Sequence, residues 1–299
     1  MVSIWDIETG NIVQKFGPAH GEGNKITAGC FDSTQRRLIT AGSDGSVKIW
    51  NFSNGQCLKD LLSINGTTKV DKEITKLVCI HEPKEDQNEP DKKQPHFLGV
   101  GWDKILHIWP DIRNEEETIP LGRDLPKAPS SGHQRDIMSC VYDFKTNLIF
   151  TGGHDGTLMA WHFETGFKKY DLHEKDPTCT SLNFVKDAKS IDCLVIMQKE
   201  RLLLSGTCDG LIRIWNLDDL GNEPLIYNFQ VFNFPYEMEE IKETINGVDV
   251  PVRKMKEQLT CFTVTGDAKT RANRLLTGCT GGRIKCWDLT KVDVRKTAE

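Results

Sequence analysis

Residues 38–50, LITAGSDGSVKIW, decide the fold. Two apolar residues, a run of small ones, Asp-Gly, and then alternating apolar and polar side chains ending in Trp50 make the pattern of a tight β-hairpin. Asp-Gly suits the turn, and the period of two after it puts one face of the second strand into a core. The phrase returns at 97–109 (FLGVGWDKILHIW), 148–161 (LIFTGGHDGTLMAW), 202–215 (LLLSGTCDGLIRIW) and 275–287 (LLTGCTGGRIKCW), and the copies align back from the tryptophan without a gap. An aspartate lies six residues before the tryptophan in four of them: Asp44 and Trp50, Asp103 and Trp109, Asp155 and Trp161, Asp209 and Trp215. In the last copy Gly281 takes its place before Trp287.

Upstream of each hairpin stands another β-prone run: ITAGCF (26–31), ITKLVCI (74–80), IMSCVY (137–142), CTSLNF (179–184) and LTCFTV (259–264). A shorter run often follows the tryptophan. Four strands per unit is the count of a propeller blade, and one four-stranded sheet cannot bury both of its faces, so the units must stack side by side. The spacing predicts an all-β chain in which residues 1–299 form one array of antiparallel blades, with units ending near Trp5, Trp50, Trp109, Trp161, Trp215 and Trp287.

Gly-His or Ala-His before a first strand (Ala19-His20, Gly132-His133) and Trp-Asp or Trp-Asn at the end of a third (Trp5-Asp6, Trp287-Asp288, Trp50-Asn51, Trp215-Asn216) make the units resemble the WD-repeat β-propeller family. The resemblance covers nearly the whole chain and implies a tetrad of His, Ser or Thr, Asp and Trp that locks each blade. It places complete sets at His20, Thr40, Asp44 and Trp50 and at His133, Thr151, Asp155 and Trp161. The Trp215 unit keeps Ser205 and Asp209 without the histidine, the last keeps Thr277 and Trp287, and the Trp109 unit has Gly99 where the hydroxyl belongs. Those three blades are expected to be less firmly locked. A hydroxyl, a histidine and an aspartate also invite a nucleophile-triad reading, but catalysis needs one constellation in one pocket, and here the set recurs. No catalytic residue is assigned.

The remaining sequence excludes several functions. The 38 Lys+Arg against 43 Asp+Glu give a net charge of -5, without the basic footprint that nucleic-acid binding requires. No stretch reaches the roughly 18 apolar residues of a membrane span, and MVSIWDIETG is not a signal peptide, so an intracellular chain is expected. The ten cysteines are too sparse for a disulfide scaffold and contain no CxxC, and those of ITAGCF, ITKLVCI, IMSCVY and LTCFTV stand in apolar first-strand runs where they serve packing; no metal is assigned. The glycines of GPAHGEGN (17–24) do not make a dinucleotide fingerprint, no P-loop occurs, and no cofactor is expected.

Insertions carry what is left. Residues 82–95, EPKEDQNEPDKKQP, read as a solvated loop, and 111–131 as an acidic, proline-containing crossing that holds a weak fourth strand. Residues 233–257, NFPYEMEEIKETINGVDVPVRKMKE, are long for a connection between blades. Their aromatic start and amphipathic EMEEIKETI make Phe234, Tyr236, Met238 and Ile241 the candidate partner-binding residues.

The chain opens at the third strand of one blade and closes after the third strand of another, which predicts about 21 strands against about 28 for a seven-blade ring of four-stranded sheets. It is therefore expected to be an incomplete propeller, or part of a longer two-propeller chain. Phrases over residues 3–170, above all GWDKILHIW with Trp102 before its turn, resemble the two-propeller WD-repeat proteins of motile cilia and flagella, some of which carry EF-hands. That likeness implies a non-catalytic scaffold of the axoneme, at a radial spoke or on the doublet microtubule, with axonemal proteins as partners and tubulin an indirect one. The alternative is a soluble cytoplasmic adaptor that presents substrates to a modifying enzyme such as a ubiquitin ligase.

Overall fold

The computed structural model describes residues 1–61, 73–81, 94–111, 123–125, 132–172, 189–222, 224–232, 238–245, 248–255, 257–266 and 273–289; in 123–125, 238–245 and 248–255 only the backbone is described. All regular structure among them is β. An antiparallel pair, β1 (Val2–Trp5) and β2 (Ile12–Phe16), opens the chain. Then follow four sheets of four strands, each in chain order. The first is β3 (Ile26–Phe31), β4 (Arg37–Gly42), β5 (Val47–Asn51) and β6 (Cys57–Asp60). The second is β7 (Ile74–Ile80), β8 (His96–Gly101), β9 (Leu106–Pro110) and β10 (Arg123–Leu125), and the third is β11 (Ile137–Asp143), β12 (Leu148–Gly153), β13 (Leu158–His162) and β14 (Lys168–Leu172). The fourth is β15 (Ile191–Met197), β16 (Leu202–Thr207), β17 (Leu211–Asn216) and β18 (Leu225–Gln230). A hairpin, β19 (Met238–Ile245) and β20 (Val248–Met255), stands apart from a last sheet of three, β21 (Leu259–Gly266), β22 (Asn273–Cys279) and β23 (Ile284–Asp288).

The hairpin phrases form the second and third strands of their sheets, and the weak fourth strand expected within 111–131 is β10. Three readings need correction or cannot be placed. The strand paired with β16 is β15 at 191–197, not CTSLNF; IDCLVIM is the longer apolar run, and 179–184 lie outside the described residues. The segment taken as a loop at 233–257 holds β19 and β20, an antiparallel hairpin in unbroken register from Met238 opposite Met255 to Ile245 opposite Val248. These two strands are what raise the number from the expected 21 to 23 among the described residues. The loop read at 82–95 lies almost wholly outside them.

Local geometry repeats from sheet to sheet. The first strand shifts register near its start in four sheets, between Ile26 and Ala28, Ile74 and Lys76, Ile191 and Cys193, and Leu259 and Cys261. Such a bulge increases twist and re-aims the residues that follow. In the next turn, Gln35, Asn147 and Arg201 take left-handed backbone angles near +57 to +59°.

The chain divides into two compact units, Met1–Thr151 with Ala160–Lys169, and Gly152–Met159 with Tyr170–Glu299. In the first, Ile39, Ala41, Val47 and Ile49 of one sheet pack with Ile74, Leu77, Phe97 and Trp109 of the next. Burial of each large side chain contributes roughly 1.5–3 kcal/mol. Polar links join the same sheets. The Arg37 guanidinium donates from Nε to Asp32 Oδ2 (3.1 Å) and from one terminal nitrogen to both oxygens of Asp111 (2.8 and 2.7 Å). Both carboxylates are fully buried, and Arg37 is 16% exposed. Burial pushes the Asp32 carboxyl up, but bonds from Thr34 and Arg37 outweigh it and hold the group below its ordinary range. Thr75 Oγ1 donates to the Ile137 carbonyl (2.6 Å), tying β7 to β11. In the second unit Cys193, Met197, Leu204, Ile212 and Ile214 pack with Leu259, Phe262 and Leu275, and Cys193 Sγ reaches the Thr260 carbonyl (3.2 Å).

Candidate functional site

The tetrad positions come together around a buried hydroxyl. In the first sheet Trp50 Nε1 donates to Thr40 Oγ1 (2.8 Å), which lies 2.8 Å from His20 Nε2. The other imidazole nitrogen meets Ser46 Oγ at 2.6 Å, and Ser46 donates to Asp44 Oδ1 at 2.8 Å, whereas His20 and Asp44 are 3.7 Å apart. One proton arrangement satisfies every donor. Ser46 gives its hydrogen to Asp44, neutral His20 gives its Nδ1 hydrogen to Ser46 and accepts that of Thr40, and Thr40 accepts the indole hydrogen. Burial, the largest effect on His20, pushes its pKa below 6.5, and the nearby Asp44 charge only partly opposes that. A neutral ring is what this chain of bonds requires. Ser46 is a member that sequence reasoning missed; the signal was a hydroxyl two residues after the aspartate, present again at Thr157 in HDGT.

In the third sheet Trp161 Nε1 donates to Thr151 Oγ1 (2.8 Å) and His133 Nε2 lies 2.7 Å from the same oxygen, while Thr157 donates to Asp155 (2.6 Å). In the fourth, Trp215 Nε1 donates to Ser205 Oγ (2.8 Å), and Asp209 accepts from Thr207 Oγ1 at 2.5 Å. Trp287 donates to Thr277 in the last sheet at a longer 3.1 Å.

The second sheet, expected to lack its hydroxyl, is locked by another route. His107 Nε2 meets Asp103 Oδ2 at 2.6 Å, with the two side chains 5% and 9% exposed, and the imidazole stacks on Trp109 at 5.6 Å between ring centres. His107 comes from the third strand, directly opposite Gly99, where the neighbouring sheet has Lys48 opposite Thr40. A Cβ at Gly99 would lie 2.9 Å from the Trp109 ring, so the indole occupies the space that a hydroxyl takes elsewhere. The signal for this was a histidine four residues after the aspartate.

These constellations can hold sheets but offer no reaction site. Thr40, Thr151, Ser205 and Thr277 are each at most 2% exposed, and their oxygens already serve an indole. Thr40→Val is expected to cost about 2–4 kcal/mol, because it leaves both an indole N–H and an imidazole unsatisfied, while Asp44→Ala, at the 13% exposed end of the chain, costs less. Thermal unfolding of the two variants checks the order. Burial also pushes the thiols of Cys79 and Cys140 up to about 12, and that of Cys30 higher still, which leaves them unreactive near neutral pH. Of the candidate partner-binding residues, Phe234 and Tyr236 lie outside the described residues, and Met238 and Ile241 belong to β19, opposite Met255 and Val252.

Comparison with known proteins agrees with this geometry. The family model described as WD domain, G-beta repeat matches residues 10–51, 126–162 and 173–216. The chain is 27% identical over 152 residues to a WD repeat-containing protein on Y chromosome of Drosophila willistoni, covering 50% of this chain and 12% of that protein. It is 25% identical over 150 residues to the protein of the same description in Drosophila mojavensis (50% and 10%), and 27% over 158 residues to that of Drosophila ananassae (52% and 12%). The matched stretch thus spans about half of this chain and about a tenth of each relative. The family model thus finds WD40 repeats in those three stretches, and the four-stranded antiparallel sheets are of the kind that make propeller blades.

Proposed function

We propose that this chain is a non-catalytic platform for protein–protein contacts. The observation that carries the reading is the recurrence of a buried, fully employed hydroxyl lock from sheet to sheet: polar chemistry is spent on rigidity, which leaves loops, turns and sheet rims to meet partners. Repeated modules of this kind contribute area and geometry to large assemblies. The narrower proposal places the platform in the axoneme of cilia or flagella, among other axonemal proteins and with indirect contact to tubulin. Its support is the wording of residues 3–170, GWDKILHIW above all.

The test is affinity purification of the tagged protein from ciliated cells, with imaging of the tag. Axonemal proteins and a signal along the cilium are expected. Recovery of a ubiquitin ligase or another modifying enzyme with a diffuse cytoplasmic signal would favour the adaptor instead. Deleting residues 238–255 is expected to leave thermal unfolding unchanged, since among the described residues β19 and β20 pair only with each other, and to reduce partner recovery several-fold. Undiminished recovery would make the hairpin passive.

A further inference from the structure

We propose that the turn between β8 and β9, Trp102-Asp103-Lys104, is a docking point for an acidic segment of a partner protein, one with a carboxylate beside an apolar side chain. The inference rests on the platform reading above and names a partner chemistry for it.

Five sheets carry the equivalent turn, and four of them place glycine at its left-handed position: Gly45 (φ +78°), Gly156 (+73°), Gly210 (+86°) and Gly282 (+73°). Here the residue is Lys104, at φ +67°. A side chain with a Cβ is strained in that conformation, and glycine is the residue the backbone favours. Such strain persists where the surrounding structure holds it, and it clusters at functional sites. Lys104 is exposed, and among the described residues none of the ion pairs found involves its ammonium group.

A second observation falls on the same turn. Trp102 is 43% exposed, at the position that Ser43, His154, Cys208 and Thr280 fill elsewhere. Exposed tryptophan is uncommon, and it dominates the contact energy of many interfaces. The turn is also held in shape. Trp102 N donates to the Glu73 carbonyl (3.0 Å), Lys104 N to that of Gly101 (3.2 Å) and Ile105 N to Asp103 Oδ1 (3.1 Å), while the other oxygen of Asp103 meets His107. Asp103 is therefore engaged inward, and the turn carries an exposed indole and an exposed ammonium two residues apart on a backbone held in place.

The ammonium selects an anion and the indole an apolar neighbour. With a net charge of -5 the chain repels a polyanionic nucleic acid as a whole, whereas a short acidic protein segment needs only the local charge.

Selection of phage-displayed random dodecapeptides on the full chain, at low salt, tests this. The enriched peptides are expected to carry Asp or Glu beside an apolar residue. A synthetic peptide from the enriched set should lose about tenfold or more in affinity with Trp102→Ser and with Lys104→Asn. Asparagine tolerates the left-handed region, so Lys104→Asn removes the charge while keeping the turn, and its unfolding midpoint should be no lower than that of the parent. Absence of acidic enrichment, or affinity unchanged in both variants, overturns the proposal. If the cellular partners are still recovered by Trp102→Ser after such a failure, the platform stands on other surfaces and only this docking point falls.

Discussion

Arg37→Ala is expected to destabilise the protein by about 3–5 kcal/mol, the cost of removing one partner from a buried ion pair. The guanidinium bridges two sheets, and the carboxylates it serves are fully buried. Asp32 keeps bonds from Thr34 and from the backbone of Arg36 and Arg37, whereas Asp111 loses a bond to each of its two oxygens. Pairing Arg37→Met with Asp111→Asn should therefore restore a large part of the loss. Urea unfolding of the two single variants and the double one gives the coupling directly. A cost below about 1 kcal/mol for Arg37→Ala would mean that the bridge is solvated in solution and contributes as an ordinary surface pair does.

Gly101→Ala is expected to cost about 3 kcal/mol, at the upper end for an overpacked site. A Cβ there would sit 2.1 Å from the Glu73 carbonyl oxygen and 3.0 Å from Ile74 Cα, both backbone, so no side chain can swing aside. The Glu73 oxygen accepts from Trp102 N at 3.0 Å, so a displaced strand also loses that bond. Gly29→Ala is the matched control: its new Cβ would meet only the Ile39 carbonyl, at an ordinary 3.4 Å, and the change should stay within about 0.5 kcal/mol. Thermal unfolding of the two alanine variants side by side decides, and equal midpoints would show that β7 yields freely at its start.

What could be read from residues alone were features of one hairpin. Ten residues separate Thr40 from Trp50, Thr151 from Trp161, Ser205 from Trp215 and Thr277 from Trp287, and a tight antiparallel turn brings such pairs into contact without help from the rest of the chain. What escaped depended on contacts between distant segments or on competing local signals. Arg37 finds Asp111 across 74 residues, and nothing near either one marks the other. Ser46 enters the first lock because it fits the gap between His20 and Asp44, which is a matter of tenths of an ångström. In EMEEIKETI the amphipathic spacing hid a strand, because the partner that settles the matter, VDVPVRKM, begins three residues further on and had to be read together with it. CTSLNF drew attention by resembling the other first strands, while the longer apolar IDCLVIM held the pairing.

The second sheet shows how such a lock can drift. Gly99 and His107 face each other across two strands, and each is tolerable only because of the other: a serine restored at 99 would strike the Trp109 ring, and a lysine restored at 107 would strip Asp103 of its imidazole. Single steps back toward the common pattern are therefore deleterious where the paired step is not, so the two positions are expected to covary among relatives.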